Sequence, residues 1–440
     1  MTSNDSQAWI SPAESCIDRR RICYVCTWNH LGGTETLILR HLQWLREKGH
    51  IGLVISPEGT MSDAYRKSAA TFVELTESQA DSVSMDDDEL AQRNEHIANA
   101  VGRDEPCHFI VFNLDGLHMA AELCSLIKGS AVSVYLVFDD IFGPERFEKL
   151  EEMNAQGMVI AMNEGCLEGH RRRYGYRLEN SILVPLPMAV PKPSRAKHDE
   201  NECIILTVAR LVDMKGYIEG LIADFSDIAK SVKIPCRLVV VGAGPLRHRF
   251  IRAARQSGME SKIEFVGSVP YEELAAYYAQ AHIYVGMGTT LLEAAAAEVP
   301  SVIATAYTKD FVTPGIFGPG SGLGLGEPFC GSPQIPGREL LRHLVTSPSA
   351  RVSAGKAGRA KVVSDFEQDV VMQKFLGQLD HSAFRVGRFR RPRHVVPFYF
   401  LRKHVKRLIG YHPIPMRIGR AVSLALAKSY SLTKNLFASR

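Results

Sequence analysis

The chain has 440 residues, 45% apolar and 23% charged with a formal net charge of +4, the composition of a folded soluble protein rather than a disordered one, with room for two or three domains. The charge is uneven. All 48 acidic residues lie at or before Asp380 and the last 60 residues hold 14 of the 52 Lys and Arg, so the body carries −10 and the tail +14.

The first 20 residues are polar, with Asp5, Glu14 and Asp18 and no apolar core of a secretory signal, which predicts a flexible N-terminus over 1–20. No stretch reaches the roughly 18 uncharged apolar residues that span a bilayer, so the expected location is cytoplasmic. Nine cysteines scattered through apolar runs read as small buried hydrophobes of a reducing compartment. Cys23 and Cys26 are the only close pair, and no second pair completes a zinc site.

From Ile22 to Thr27 the chain reads as a buried strand. The Gly32-Gly33 turn follows, then a helix over Thr34 to Gly49 with apolar Leu37, Ile38, Leu42 and Leu45, then a strand at Ile51 to Ser56. The acidic stretch Asp81 to Asp104 has no strand pattern, and Met85 to Leu90 reads as a solvated helix start. Strand-like runs at Phe109 to Asn113, Ala131 to Phe138, Met158 to Asn163 and Ile182 to Val184 alternate with helical segments. This alternation predicts a doubly wound parallel sheet. The proline-rich Pro185 to Pro193 predicts a hinge, after which the pattern restarts at Ile204 to Val208, Arg237 to Val241, Ile263 to Val266, Ile283 to Val285 and Ser301 to Ala304. The fold class is therefore α/β, with two Rossmann-like domains over 21–190 and 200–380 facing a cleft, and a basic helical extension over 381–440.

Ligands of open parallel sheets bind at the carboxyl ends of strands, and the glycines and charges concentrate there. Residues 286 to 303 combine a glycine turn, a helix start, Glu293 one turn further in, and a return to strand. A helix start leaves N–H groups unpaired and adds positive potential suited to a phosphate, while a carboxylate a turn away can accept from both hydroxyls of a ribose. Arg210 and Lys215 place two cations on the loop after the first strand of the second domain, able to stabilise the charge of a departing diphosphate. Val239 to Gly244 is a strand ending in a Gly-x-Gly-Pro turn; it lacks the third glycine of a dinucleotide fingerprint and reads as close backbone approach of Gly242 and Gly244 to a base or ribose.

The ordered set Gly32-Gly33-Thr34-Glu35, Val208-Ala-Arg210 with Lys215-Gly216, Val241-Gly242-Ala-Gly244-Pro245-Leu, Phe265-Val-Gly267-Ser-Val-Pro270, and Glu293-Ala with Val299-Pro300 resembles glycosyltransferase family 4 over about residues 20 to 380. The resemblance implies a GT-B fold and a retaining, metal-independent transfer of a sugar from a nucleotide-diphosphate sugar to a hydroxyl acceptor, with no cofactor beyond that co-substrate. It implies that Arg210 and Lys215 grip the diphosphate and Glu293 the ribose. Thr289, Thr290 and Leu291 after Gly288 would meet the phosphates through N–H groups, and Gly242, Gly244 and Val266 would lie near the base. Gly32 and Gly33 would let the first-domain loop approach the diphosphate or acceptor.

The chain departs from that family in two places. The family has two glutamates separated by seven residues, and the first of them falls here on Val285, a form that some bacterial surface-polysaccharide members share. Where many members carry a histidine near the scissile bond, this chain has Phe112; His118 is the nearest candidate, and it reads equally as an ordinary helix-surface residue. Asp140 falls where the family often has His-Asp and would touch donor or acceptor sugar. A non-catalytic GT-B partner subunit is the alternative these departures leave open.

After Asp380 the tail runs through Arg385, Arg388, Arg390, Arg391 and Arg393 to Phe398, Leu401, Val405, Leu408 and Ile409 at helical spacing. Such a segment suits an anionic membrane surface, and a lipid-linked or glycan acceptor would be met there; packing back onto the body is the other reading. No nucleic-acid-binding motif accompanies the charge.

Overall fold

The computed structural model describes residues 19–29, 32–80, 85–138, 147–191, 202–328 and 333–381. The segment 1–18, Asp140 and the basic tail lie outside them. The first sheet comprises β1 (Arg21–Val25), β2 (Ile51–Pro57), β3 (Thr71–Leu75), β4 (His108–Val111), β5 (Ala131–Leu136), β6 (Val159–Ala161) and β7 (Ile182–Leu183). Its order is β3-β2-β1-β4-β5-β6-β7, and every pairing is parallel. The second comprises β8 (Cys203–Val208), β9 (Cys236–Val241), β10 (Ile263–Gly267), β11 (Ile283–Gly286) and β12 (Ser301–Ile303), ordered β10-β9-β8-β11-β12 and also parallel. In both, the chain moves outward from a central strand in one direction and then the other, so a crevice opens where the order reverses, at β1/β4 and at β8/β11.

The expected strands are present within a residue or two, and β3 is an addition. It is an edge strand whose residues alternate only partly between buried and exposed, so its five residues give little periodic signal. The acidic stretch begins a helix over Asp87–Val101 as expected. Asp86 caps it by accepting from Glu89 N–H, and the Glu89 side chain accepts from Asp86 N–H.

Successive residues of the second sheet face opposite sides, and the two sides belong to different cores. Leu206, Val208, Val239, Val241 and Tyr284 join the core that also fills the first domain. Ile205, Leu238, Val240, Ile283 and Val285 join the helices on the far side. The proline-rich crossing is tied to a second crossing: Met188 N–H donates to Phe366 O at 2.7 Å, and the π-helical turn Val362–Phe366 leads into the helix Gln368–His381. That last helix returns to the first domain, where Gln368 Nε2 donates to Arg40 O, Gln378 Nε2 to Gly157 O, and the Phe375 ring meets His41. Cys23 and Cys26 are fully buried, and burial raises both thiols above their ordinary range, which makes them inert packing groups.

Candidate functional site

The loops that carry the motif residues of the second domain all leave the carboxyl ends of its strands and hold one another by backbone contacts. After β8, Ala209 and Leu211 donate N–H bonds to Val241 O and Ala243 O. Gly242 (φ +129°) and Gly244 (φ +155°) adopt backbone conformations open to glycine. A Cβ at either would overlap the carbonyl of Ala209 or Leu211. The close approach these glycines permit is thus to the protein's own backbone, and it fixes the Arg210 loop. Arg210 is exposed at its crest. Lys215, half-buried in the turn Asp213–Lys215, is pulled down to about 8, first by burial and then by the charge of Arg210, against the opposing pull of Glu327. Val266, on β10, is half-buried beside this cluster's glycine turn, where Gly242 N–H donates to Gly267 O at 2.7 Å.

The helix Thr289–Ala296 starts at Gly288, which has φ +71°, and no side chain caps it. Gly288 N–H donates to Leu325 O at 2.7 Å, and Leu291, fully buried, donates its N–H back to Gly288 O. Thr289 and Thr290 are the first-turn residues left at the mouth. The Thr290 hydroxyl is used internally, donating to Val208 O and accepting from Tyr284 OH at 2.6 Å, which pins the helix start to the end of β8.

Glu293 is not a bare acceptor. Its carboxylate accepts from Tyr271 OH at 3.0 Å, from Tyr278 OH at 2.9 Å and from Arg40 Nη2 at 3.1 Å, an ion pair whose side chains are 14% and 10% exposed. Burial first, then the Glu293 charge, raises both tyrosine hydroxyls. Arg40 belongs to the first-domain helix Gly33–Glu47 and also donates to Pro187 O. This pair joins the two domains beside the proline-rich crossing. Sequence reading missed it because Arg40 carries no motif and lies 253 residues from its partner.

On the facing side, Gly32 is extended (φ −161°) and a Cβ at Gly33 would meet nothing within 4 Å, so the start of that helix faces open space. Thr27, Asn113 and Asn163 crown the ends of β1, β4 and β6. Asn113 donates to Thr27 Oγ1 while capping the helix Leu114–Leu126, and Asn163 caps the helix Glu164–Tyr174. His118 is 7% exposed, so it is buried and not the helix-surface residue of the second reading. Phe112 is fully buried and stacks on Tyr135.

Two features at the cleft had no sequence signal. Tyr307 is a non-glycine residue at φ +62°, with its ring against Phe138 of the first domain. Glu327 is 2% exposed and accepts from Asn163 Nδ2 at 2.9 Å, again between the domains. Burial raises its carboxyl, opposed by the bonds from Asn163 and Leu325 and by Lys215.

Two parallel-sheet domains with their strand ends turned to a common crevice define the GT-B fold. Residues 192–313, which span the Arg210 loop, the glycine turn and Glu293, match the family model described as glycosyl transferases group 1. No protein of curated function matches the sequence. Among solved structures, a glycosyltransferase from Rickettsia africae ESF-5 superposes with a TM-score of 0.60 at 14% identity, covering 83% of this chain and 99% of its own. HepE of Anabaena in complex with UDP gives 0.57 at 13% identity, covering 82% and 99%. A variant of S. aureus TarM in complex with Fondaparinux, alpha-GlcNAc-glycerol and UDP gives 0.60 at 11%, covering 82% and 100%.

Proposed function

We propose that the protein is a glycosyltransferase that moves a sugar, with retention, from a nucleotide-diphosphate sugar to a hydroxyl acceptor in the assembly of cell-surface polysaccharide or lipid-linked glycan. One observation carries the reading: Arg210, Lys215 and the uncapped helix start at Gly288 crown neighbouring strands of one sheet, within the segment that matches group 1 glycosyl transferases. The UDP bound by HepE and TarM, similar in fold, supports a nucleotide donor.

In this reading the helix start at Thr289 and Thr290 holds the phosphates, and Arg210 and Lys215 take the charge that develops as the sugar–phosphate bond breaks. Fixed side-chain cations do this without reorganising at the moment of reaction, and closure of the cleft about the Pro185 to Pro193 crossing excludes the water that would hydrolyse the donor. Glu293 takes the ribose hydroxyls in exchange for one or more of its present donors, and Gly242, Gly244 and Val266 border the base. Asp140 and the basic tail lie outside the described residues. We assign the tail to an anionic inner membrane surface, where the acceptor would be met, and the protein to the cytoplasm. Among the described residues no helix is long and apolar enough to cross a membrane.

A non-catalytic, donor-binding subunit is the second reading, favoured by Val285, fully buried in β11 where the family's first carboxylate falls. Transfer and donor hydrolysis by the purified full-length protein separate the two. Turnover that falls on the order of a hundredfold or more in Arg210→Ala and Glu293→Ala supports the transferase. Donor affinity without turnover for any acceptor supports the subunit and ends the enzymatic reading.

A further inference from the structure

The second domain sends one more acid to the cleft, from a glycine-rich segment without a recognisable motif. Glu327 and Glu35 are the only acidic residues buried to within 3% exposure among the described residues, and Glu327 is hydrogen-bonded to the opposite domain. Its surroundings are built tightly. Oε1 accepts from Asn163 Nδ2 at 2.9 Å and Oε2 from Leu325 N–H at 2.7 Å. Gly288 N–H holds Leu325 O, Ala306 N–H holds Gly326 O at 2.8 Å, and a Cβ on Gly326 would lie 2.5 Å from Met287 Cβ. Opposite, a Cβ on Gly165 would lie 2.9 Å from Glu327 Cβ, and Glu164 Oε2 accepts from Leu323 N–H at 3.3 Å.

A carboxylate in such a place carries a large desolvation cost, which a neutral amide in the same position would avoid. Its one side-chain partner among the described residues is the amide of the opposite domain, so a group that enters between the domains can take that amide's place. The residues just before Glu327 pack on the Gly286 to Gly288 turn and its charge acts on Lys215, so a group held by that turn and Lys215 that extends toward the first domain meets Oε1.

We propose that Glu327 is the residue that reads the transferred sugar: its carboxylate exchanges the Asn163 amide for a hydroxyl of the sugar bound beyond the diphosphate. The proposal rests on the nucleotide-sugar reading above. It accounts for a buried acid at a cleft whose nearest strand, β11, brings only Val285. The amide of Asn163 acts as the hydroxyl's stand-in while the site is empty, keeping the acid satisfied between turnovers.

Calorimetric titration of full-length protein with UDP, UDP-glucose, UDP-galactose, UDP-N-acetylglucosamine, GDP and GDP-mannose tests it, the readout being the Kd of each nucleotide sugar relative to its own bare diphosphate. Glu327→Gln keeps the shape and removes the charge, and Glu327→Ala removes the acceptor. Both variants withdraw the Glu327 charge from Lys215, so affinity for the bare diphosphate falls in each, and by less than affinity for the preferred nucleotide sugar. The preferred nucleotide sugar is expected to weaken on the order of tenfold in the alanine variant and less in the glutamine variant, as loss of one charge-assisted hydrogen bond requires. Sugar and bare diphosphate weakening by the same factor, or neither changing, would overturn the assignment, since a purely structural acid affects both alike. Should the alanine variant not fold, the glutamine variant carries the same comparison. If the wild-type protein binds none of the six, the nucleotide-sugar reading itself fails and this assignment with it; binding of a diphosphate with an unshifted ratio sinks only the role of Glu327.

Discussion

Lys215 offers the sharpest test of how the cleft handles charge. Its ammonium is drawn from 10.5 to about 8 by burial and by Arg210, so the free protein holds a largely neutral amine above that pH. A bound diphosphate favours the charged form and lifts the value back. Binding above about pH 8 must then take up one proton, and the Kd rises tenfold for each pH unit from about 8 towards 10.5, where the group titrates unperturbed. Between pH 7.5 and 9 that amounts to about eightfold, or about 1.2 kcal/mol. The second ionisation of the phosphate, near pH 6, lies below this window. Titrating UDP and GDP calorimetrically from pH 7.5 to 9, below the ionisation of the uracil and guanine rings, in buffers of different ionisation heat, reads both the slope and the proton. Lys215→Arg keeps its charge throughout and should flatten the profile. A wild-type Kd that is level from pH 7.5 to 9, or a slope that survives in Lys215→Arg, would refute the reasoning.

Arg40→Ala leaves Glu293 buried with two tyrosines as its hydrogen-bond donors among the described residues and cuts the tie to Pro187, which should lower stability by about 2–4 kcal/mol in urea unfolding. Gly242→Ala forces a side chain into the Ala209 carbonyl at φ +129°, so we expect a loss of at least about 2 kcal/mol and weaker diphosphate binding as the Arg210 loop shifts, both read by a melting series with and without UDP. Gly33→Ala meets no protein atom and should leave stability unchanged or raise it by about 0.5–1 kcal/mol, while donor affinity falls if this helix start approaches the ligand.

The strands of the two sheets other than β3, the turns that follow them and the ordered motif residues are legible in the chain. Each depends on neighbours within one element or one strand-turn-helix unit, where burial on alternate residues or a glycine's conformational freedom leaves a local mark. The run Ile204 to Val208 announces a strand buried on both faces, and Gly242 announces a special backbone position. Tertiary structure decided what those features touch. Gly242 approaches the Ala209 carbonyl, Glu293 is paired with Arg40, the helix Gln368–His381 crosses back to the first domain, and Glu327 meets Asn163. These partners lie far apart in sequence and carry no periodic pattern of their own. Their meeting is set by how two sheets and two chain crossings pack around a continuous core, a property that no single window of residues contains.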